Sequence, residues 1–358
     1  MLFEVGTQYY VSTSGNDSND GLSRATAFRT VGKAYAAGVM SPGDGLLILP
    51  GEYDQGSGTL IAPPFTLTQG CGIDVTVIKG AGTSSRPVLR PSSGCRFVDL
   101  TVTNTQTVSS FAFGAGTSDT GSIVGVLCQR CKFTGGQYSI LIFDAANYRS
   151  MRLEDCLIEA PYNGLTVVET PCDIDLYRCD FRSNNNASQS TARILHIACP
   201  SARCRVRAFD CSFFGFTSAA SATADPIWVT GPNTDLHLIN SSILSAAPGT
   251  GGSAVDITAS TSSGAPNVVV SNSTPFNPTK VSGTIRFAPT PFDGANLIET
   301  GLTFQQALRL LGAFSAGKLS GVGSGTETYR NAVADTKNRM VVTVDAQGNR
   351  TAITYDLT

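Results

Sequence analysis

The chain has 358 residues, a formal net charge of −2, and only 15% charged residues. A near-neutral balance gives no reason to expect nucleic-acid binding, which needs a basic surface. No apolar run is long enough to span a membrane, so we expect no membrane insertion. We see no basic segment followed by an apolar one at the start of the chain, and therefore expect no signal peptide.

The first 55 residues predict a strand, a polar loop and a helix. Residues 9–12 form the strand pattern, and the loop is rich in Gly, Asn and Asp over 15–21. Calcium binding by this loop is an alternative, but an EF-hand loop needs a Glu at its twelfth position, and a polar turn is favoured. A helix from about 30 to 38 would cover an open end of a stacked fold. The residues that it would direct toward that end are Val31, Ala34, Tyr35 and Val39.

A Gly43-Asp44 pair and a Pro50-Gly51-Glu52-Tyr53 stretch close this segment. Together with the strand, loop and helix, this run resembles the opening of pectate-lyase-like right-handed β-helix proteins. The resemblance covers about the first 55 residues. It implies the fold and says little about activity, because unrelated functions share one fold.

A pattern of apolar-x-apolar-x-x-anchor-x-apolar recurs through the middle of the chain. Its anchors are Leu100, Cys131, Cys156, Cys179, Cys211, Ser241 and Ser273, separated by 23 to 32 residues. Alternation puts one face of a short strand inward, and the slip of one residue before the anchor indicates a corner. The residue before the anchor is Asp, Asn or Arg. Asp and Asn tolerate a left-handed corner and bond to local backbone.

A third apolar stretch follows most anchors, at 140–143, 165–168, 194–197, 227–229 and 255–257. Three strands per repeat, stacked coil on coil, predict a parallel β-helix with the small anchors in one internal column. A β-sandwich is the alternative, but it would place turns every ~8–12 residues without a fixed slip of phase.

The chain contains 10 cysteines. We expect the four Cys anchors to be buried free thiols, because Ser replaces Cys at the same position in later repeats. Cys128-x-x-Cys131 resembles half of a zinc site, but both positions belong to the core pattern and no matching pair lies at zinc spacing. Cys199 and Cys204 lie outside the pattern and would pair in an oxidising setting. The sequence indicates no metal and no cofactor.

The longer repeats predict loops at about 182–192, 214–225 and 244–252, at the same point of successive coils. Such loops emerge on one side and form a natural binding surface. Candidate glycan ligands there are Asn184, Asn185, Asn186 and Gln189. The alternative, that these are simply soluble loop tips, is at least as well supported.

Asp144 and Glu169 form the sharpest catalytic hypothesis. Each lies two residues past the last apolar position of its third strand. Coils stacked at about 4.8 Å would bring the carboxylates near the ~5 Å separation of a retaining glycosidase pair. Any two acidic residues in adjacent coils acquire similar spacing, which weakens the hypothesis. His196 and His237 are too far apart in the repeat for a triad, and we expect Trp228 in the core rather than as a sugar platform.

Beyond about residue 288 the pattern changes. Pro and Gly predict a linker over 289–301, followed by an amphipathic helix from Leu302 to about Ala316 and strands near 327–330, 338–344 and 349–357. The helix, then residues 316–321, 335–339, 344–345 and 348–352, resemble a small C-terminal module of virion-associated proteins of tailed bacteriophages. This implies docking or oligomerisation through Phe304, Leu308, Leu311, Lys318, Asp335, Arg339 and Arg350.

We therefore expect an all-β, right-handed parallel β-helix with a capping helix and a small α+β module. The predicted boundaries are 1–55, 56–288, 289–301 and 302–358. The first functional hypothesis is a structural virion component that meets other phage proteins through residues 302–358, as a homotrimer by analogy with phage β-helices. The early start of the β-helix favours that attachment point. A tailspike-type depolymerase of host polysaccharide and a non-cleaving receptor-binding spike are the alternatives. The expected location is the virion, assembled in the bacterial cytoplasm.

Overall fold

The computed structural model describes most of the chain up to residue 246 and short segments after it. The described residues are 6–83, 86–106, 110–115, 121–143, 146–183, 191–216, 223–224, 226–246, 257–260, 266–271, 273, 281–283, 286–288, 297–299, 302–303, 319–320, 326–330, 338–344 and 350–355. The chain forms two compact units, Met1–Phe287 and Ala288–Thr358.

The first unit is a stack of parallel strands in three sheets, which confirms the predicted β-helix. The first sheet contains β1 (Gln8–Val11), β2 (Gly45–Ile48), β5 (Leu67–Gln69), β8 (Arg96–Val98), β11 (Gly121–Gln129), β14 (Ala146–Glu154), β17 (Cys172–Tyr177), β20 (Cys204–Phe209), β24 (Thr234–Ile239), β27 (Asn267–Ser271) and β29 (Arg286–Ala288). The second contains β3 (Gly51–Asp54), β6 (Thr76–Gly80), β9 (Thr101–Asn104), β12 (Lys132–Gly135), β15 (Leu157–Ala160), β18 (Asp180–Ser183), β21 (Ser212–Phe216) and β25 (Ser242–Ala246). The third contains β4 (Leu60–Ile61), β7 (Leu89–Arg90), β10 (Phe111–Ala115), β13 (Tyr138–Phe143), β16 (Asn163–Val168), β19 (Thr191–Ala198), β23 (Ile227–Thr230), β26 (Ile257–Ser260) and β28 (Val281–Gly283), with β22 (Thr223–Ala224) beside β19.

A left-handed residue makes the corner between the first and second sheets in successive coils. Asp99, Arg130, Asp155, Arg178, Asp210 and Asn240 all have φ between 50° and 56°. The predicted corner is thus confirmed at these six positions, and the seventh, at 272, lies outside the described residues. Arg is unusual in this conformation. Both arginines make bidentate ion pairs with the corner aspartate of the preceding coil, at 2.6–2.9 Å, which helps to hold them there.

The Cys and Ser anchors make a hydrogen bond at the corner. Each anchor thiol or hydroxyl donates to the carbonyl oxygen two residues earlier. The bonds run from Cys131 to Gln129, Cys156 to Glu154, Cys179 to Tyr177, Cys211 to Phe209, Ser241 to Ile239 and Ser273 to Ser271, at 3.1–3.4 Å. Because thiol and hydroxyl can both donate this bond, Cys and Ser are interchangeable at the anchor.

Apolar side chains from all three sheets fill the interior of the β-helix. Phe97, Phe113 and Phe133, one from each sheet, are fully buried and pack ring against ring. Further along, Phe181 and Phe213 stack in adjacent coils with ring centroids 4.9 Å apart. Aromatic rings in the core therefore pack against each other in edge-to-face or stacked arrangements, which are favourable ring geometries.

A short helix covers the N-terminal end of the core. The helix α1 spans Val31–Ala34 with Thr30 as its N-cap, so it is one turn long and shorter than the predicted helix over 30–38. Thr30 also hydrogen-bonds to Asp17 from the polar loop, which gives that loop a structural role. Val31 and Ala34 are buried as expected, and the Tyr35 hydroxyl pairs with buried Thr68 at 2.6 Å.

The second unit is described only in short antiparallel strands. β30 (Leu297–Glu299) pairs with β31 (Leu302–Thr303). The predicted helix therefore does not begin at Leu302, because that residue extends a strand pair; residues 304–318 lie outside the described part. The remaining strands, β32 (Leu319–Ser320), β33 (Thr326–Arg330), β34 (Asn338–Val344) and β35 (Arg350–Tyr355), form an antiparallel sheet. In the described part of the chain, no helix is long and apolar enough to cross a membrane.

Candidate functional site

Charged and aromatic side chains line the outer surface of the first sheet across four consecutive coils. On β17 and β20 the residues alternate strictly between buried and partly exposed positions, so every second side chain points out. We call this surface the first-sheet face. Its members are Arg152, Glu154, Asp173, Asp175, Tyr177, Arg205, Arg207, Phe209, Asp235 and His237.

The parallel register pairs these residues across coils. Asp173 lies beside Arg205, Asp175 beside Arg207, and Tyr177 beside Phe209. The sequence Asp-x-Asp-x-Tyr on β17 and the sequence Arg-x-Arg-x-Phe on β20 have the same spacing. Their outward residues therefore form three neighbouring columns, each with one residue from each strand. Because parallel strands lie about 4.8 Å apart, members of one column are in contact distance.

Both aspartates on β17 are held by bidentate guanidinium contacts. Arg207 binds Asp175 at 2.7 and 3.0 Å, and Arg205 binds Asp173 through two donors. Arg207 also lies 3.6 Å from Asp173. The hydrogen bond from Arg205 holds the pKa of Asp173 below its usual range, so this carboxylate stays ionised near neutral pH. It is suited to accept hydrogen bonds and unsuited to act as a proton donor.

A stack of two aromatic rings lies beside the ion pairs. The Tyr177 and Phe209 rings are stacked, with centroids 4.8 Å apart and planes at 8°. The Arg152 guanidinium lies over the Tyr177 ring, 4.3 Å from its centroid, in cation–π geometry. Arg152 is in turn paired with Glu154 at 3.1 Å. Phe209 and Arg152 thus cover the faces of the Tyr177 ring, and the first-sheet face combines aromatic ring edges with fixed donors and acceptors.

Two depressions adjoin these residues. One, of about 350 Å³, is lined by Arg152, Asp173, Asp175 and Arg207 together with further residues of β11 and β14. The other, of about 490 Å³, is lined by Pro171, Cys172, Asp173, Arg203 and Arg205. Asp173 is common to both, so the depressions flank one carboxylate. Concave surfaces with a few convergent polar groups are the usual form of a binding site.

The catalytic hypothesis on Asp144 and Glu169 is left as a prediction. Asp144 lies outside the described residues. Glu169 follows β16 with φ of 49°, and its backbone N–H donates to the carbonyl of Ala198 in the next coil. Its left-handed conformation places it at a corner. The predicted glycan ligands Asn184, Asn185, Asn186 and Gln189, and most of the predicted loop residues around them, also lie outside the described part.

Trp228 does not lie in the core. It occupies an outward position of β23, between buried Ile227 and Val229, because successive residues of the strand point to opposite faces. The Arg193 guanidinium covers its ring at 3.9 Å. His196 is its register neighbour, and burial lowers the pKa of His196 to about 4. His196 lies on the third sheet and His237 on the first, in keeping with the prediction that they form no triad.

Most of the predicted attachment residues lie outside the described part of the chain. Phe304, Leu308, Leu311, Lys318 and Asp335 lie outside the described residues. Arg339 lies in β34 and Arg350 in β35, which are neighbouring strands of the antiparallel sheet. Their role in docking or oligomerisation stays a prediction.

Sequence reasoning missed the first-sheet face. The residues predicted from the sequence follow the third strand of a coil or lie in loops. The polar positions of β17 and β20 were predicted only to point outward from their strands. A detectable signal was present: Asp173, Asp175 and Tyr177 match Arg205, Arg207 and Phe209 at a constant offset of 32 residues. Opposite charges that recur 32 residues apart, which is the length of that repeat, would have indicated ion pairs between the two strands.

The chain has the right-handed parallel β-helix fold that pectate lyases also have. Among solved structures, the pectate lyase Pel9A has a TM-score of 0.50 at 13% identity, over 80% of this chain and 78% of its own. Pectin methylesterase from carrot has a TM-score of 0.49 at 12% identity, over 81% and 91%. No protein-family model matches the chain, and no curated protein does. At such identities the likeness establishes the fold alone.

Proposed function

We propose that this chain is a virion protein of a tailed bacteriophage whose first-sheet face binds a host surface polysaccharide without cleaving it. The observation that carries the binding proposal is the Tyr177–Phe209 stack beside the bidentate Asp–Arg pairs. A sugar ring presents C–H groups on its faces and hydroxyls at its edge. The outward edges of the aromatic stack give the C–H groups an apolar contact, and fixed carboxylates and guanidinium groups hydrogen-bond the hydroxyls.

The columns of the face suit an extended ligand rather than a single sugar. The outward side chains that would contact such a ligand extend over four coils, from Arg152 on β14 to His237 on β24. Positive and negative side chains alternate along the columns, which supports binding of a neutral or weakly charged chain over a polyanion. Binding without cleavage is supported by the pairing of the aspartates, since an ionised, guanidinium-bound Asp173 supplies no proton to a leaving group.

The phage context rests on the resemblance of the C-terminal residues to a virion-associated module. In this proposal, residues 302–358 attach the protein to the particle or join copies into a homotrimer, and other virion proteins are its partners. The β-helix is then the rigid part that presents the first-sheet face. Decoration of a capsid and projection from a tail are both compatible with this arrangement.

Glycan binding is tested on a printed array of bacterial capsular and O-antigen polysaccharides. We expect the wild-type chain to bind a subset of them. The Tyr177→Ala/Phe209→Ala double variant should bind the same glycans at least about tenfold more weakly, which corresponds to roughly 1.4 kcal/mol. Loss of the apolar contact area that the two ring edges provide is the physical reason.

The control is Phe65→Ala, which removes an aromatic ring that is 60% exposed and lies off the first sheet. It should leave binding unchanged. Absence of binding across the array, or equal loss in the control, would contradict the proposal. Release of reducing ends by the wild type, abolished by Asp144→Asn and Glu169→Gln, would instead support the depolymerase alternative.

The virion role is tested by cryo-electron microscopy of phage particles carrying the full chain or a chain truncated after residue 300. We expect particle density that disappears on truncation, because attachment would run through the missing residues. Three-fold symmetric density would support the homotrimer. Wild-type particles that contain no density and no copies of the chain by mass spectrometry would overturn the virion role while leaving the glycan test unaffected.

A further inference from the structure

Two cysteines face each other across adjacent coils at the start of β17 and β20. Cys172 and Cys204 are register partners, and their Sγ atoms lie 2.7 Å apart. Both side chains are buried, at 7% and 0% exposure. Each thiol has the other as its hydrogen-bonding partner. The anchor thiols Cys156 and Cys179 also contact each other, and both donate in addition to backbone carbonyl oxygens.

We propose that Cys172 and Cys204 are a redox modification site, forming a reversible disulfide bond that links two consecutive coils. Neighbouring residues of parallel strands have Cα atoms about 4.8 Å apart, within the ~4.4–6.8 Å range that a disulfide spans. Both side chains point to the same side of the same sheet. The bond therefore needs only a small movement of the two sulfur atoms toward each other.

The larger depression beside the first-sheet face gives this pair a route to solvent. Cys172 forms part of its wall, together with Asp173, Arg203 and Arg205. Thiol–disulfide exchange proceeds by attack of a thiolate, and the guanidinium groups of Arg203 and Arg205 line the same depression. They also attract an anionic reagent. A small anionic disulfide such as glutathione disulfide is complementary in charge to this depression.

A third thiol lies next to the pair. The Cys204 thiol donates to the Cys199 sulfur and lowers the pKa of Cys199. The sequence suggested Cys199 as the partner of Cys204, whereas the structure places Cys172 in register with it. Cys199 follows β19 at the corner before β20, and its thiol donates weakly to the Thr170 carbonyl at 3.9 Å.

The reaction is a two-step exchange. The Cys172 thiolate attacks one sulfur of glutathione disulfide, forming a mixed disulfide and releasing one glutathione thiolate. The Cys204 thiolate then attacks the Cys172 sulfur, forming the protein disulfide and releasing the second glutathione. The two thiol protons end on the two released glutathione molecules. The protein pair is oxidised and glutathione disulfide is reduced.

The linkage closes a 32-residue segment of chain, which is one full coil. Cross-linking lowers the entropy of the unfolded chain and stabilises the folded one. It also tethers the strands that carry the Asp173–Arg205 ion pair, because each cysteine immediately precedes one member of that pair. Oxidation thus stiffens one end of the first-sheet face.

The test refolds the full chain in glutathione buffers of graded oxidised-to-reduced ratio, so that access to the buried thiols does not limit the reaction. All variants carry Cys71→Ser, which removes the exposed thiol and its mixed disulfides. Free thiols are alkylated after denaturation and links are mapped by peptide mass spectrometry. We expect loss of two alkylatable thiols, a Cys172–Cys204 linked peptide, and a urea midpoint that is higher in the oxidised form than after reduction.

The Cys199→Ser variant should form the same link, and Cys204→Ser should form no protein disulfide at Cys172, because the exchange stops at the Cys172–glutathione mixed disulfide. Cys179→Ser is the matched control, because it removes a thiol from the anchor column and should leave the link intact. Folded protein with no Cys172–Cys204 peptide at any ratio would overturn the proposal. A Cys199–Cys204 peptide as the main product, or anchor-column links that form first, would overturn it as well.

Discussion

Replacing Phe113 with alanine is expected to lower the free energy of unfolding by about 3–5 kcal/mol, because it leaves a large cavity in the core. The Phe113 ring is fully buried and packs between two others. It lies edge-on to Phe97 at 5.4 Å and tilted against Phe133 at 4.8 Å. Neighbouring coils are held in register by the backbone ladder and can close around the gap only in part. The measurement is urea unfolding of the full chain, followed by tryptophan fluorescence and circular dichroism.

Two controls define what the core contact contributes. Phe113→Leu keeps most of the apolar volume and should cost clearly less than the alanine variant. Phe65→Ala removes a ring that is 60% exposed and should change stability by about 1 kcal/mol or less. Similar midpoints for Phe113→Ala and Phe65→Ala would show that the three-ring cluster contributes no special stability.

Gly135→Ala is expected to destabilise the first unit by about 2–4 kcal/mol, because two costs add. Gly135 ends β12 with φ of 82°, a conformation that alanine adopts only under strain. An added Cβ would also lie 2.0 Å from the carbonyl oxygen of Asn104 in the preceding coil. That oxygen belongs to the backbone of β9, so relief requires moving two adjacent coils apart. Thermal and urea unfolding measure the loss.

Gly125→Ala separates the two costs. Gly125 has φ of 72°, close to that of Gly135, but a Cβ there meets nothing within 4 Å. This variant should therefore lose only the conformational part, roughly 1 kcal/mol. Equal destabilisation by the two substitutions would mean that the close approach of Gly135 to Asn104 contributes nothing, and that coil spacing adjusts freely.

The repeat and its corners were determined by the sequence alone. Alternation in each unit placed Val126 and Cys128, or Leu236 and Leu238, on the inner face, and the slip of phase before the anchor located the corner. These signals are local, since each depends on the chirality of one residue and on the two-residue period of a strand. The capping segment was also recognised locally, although its helix ends after one turn.

The tertiary structure alone decided which contacts form across coils. The 32-residue step between the anchors Cys179 and Cys211 already aligns β17 with β20 in the sequence. Only the stacked backbone shows that the aligned side chains of Asp173, Asp175 and Tyr177 meet those of Arg205, Arg207 and Phe209 on the outer face, and that the Cys172 and Cys204 sulfur atoms lie in contact. Contacts between distant positions depend on how every intervening turn closes. The sequence therefore determined the coil, and the register of coils created the candidate binding face and the thiol pair.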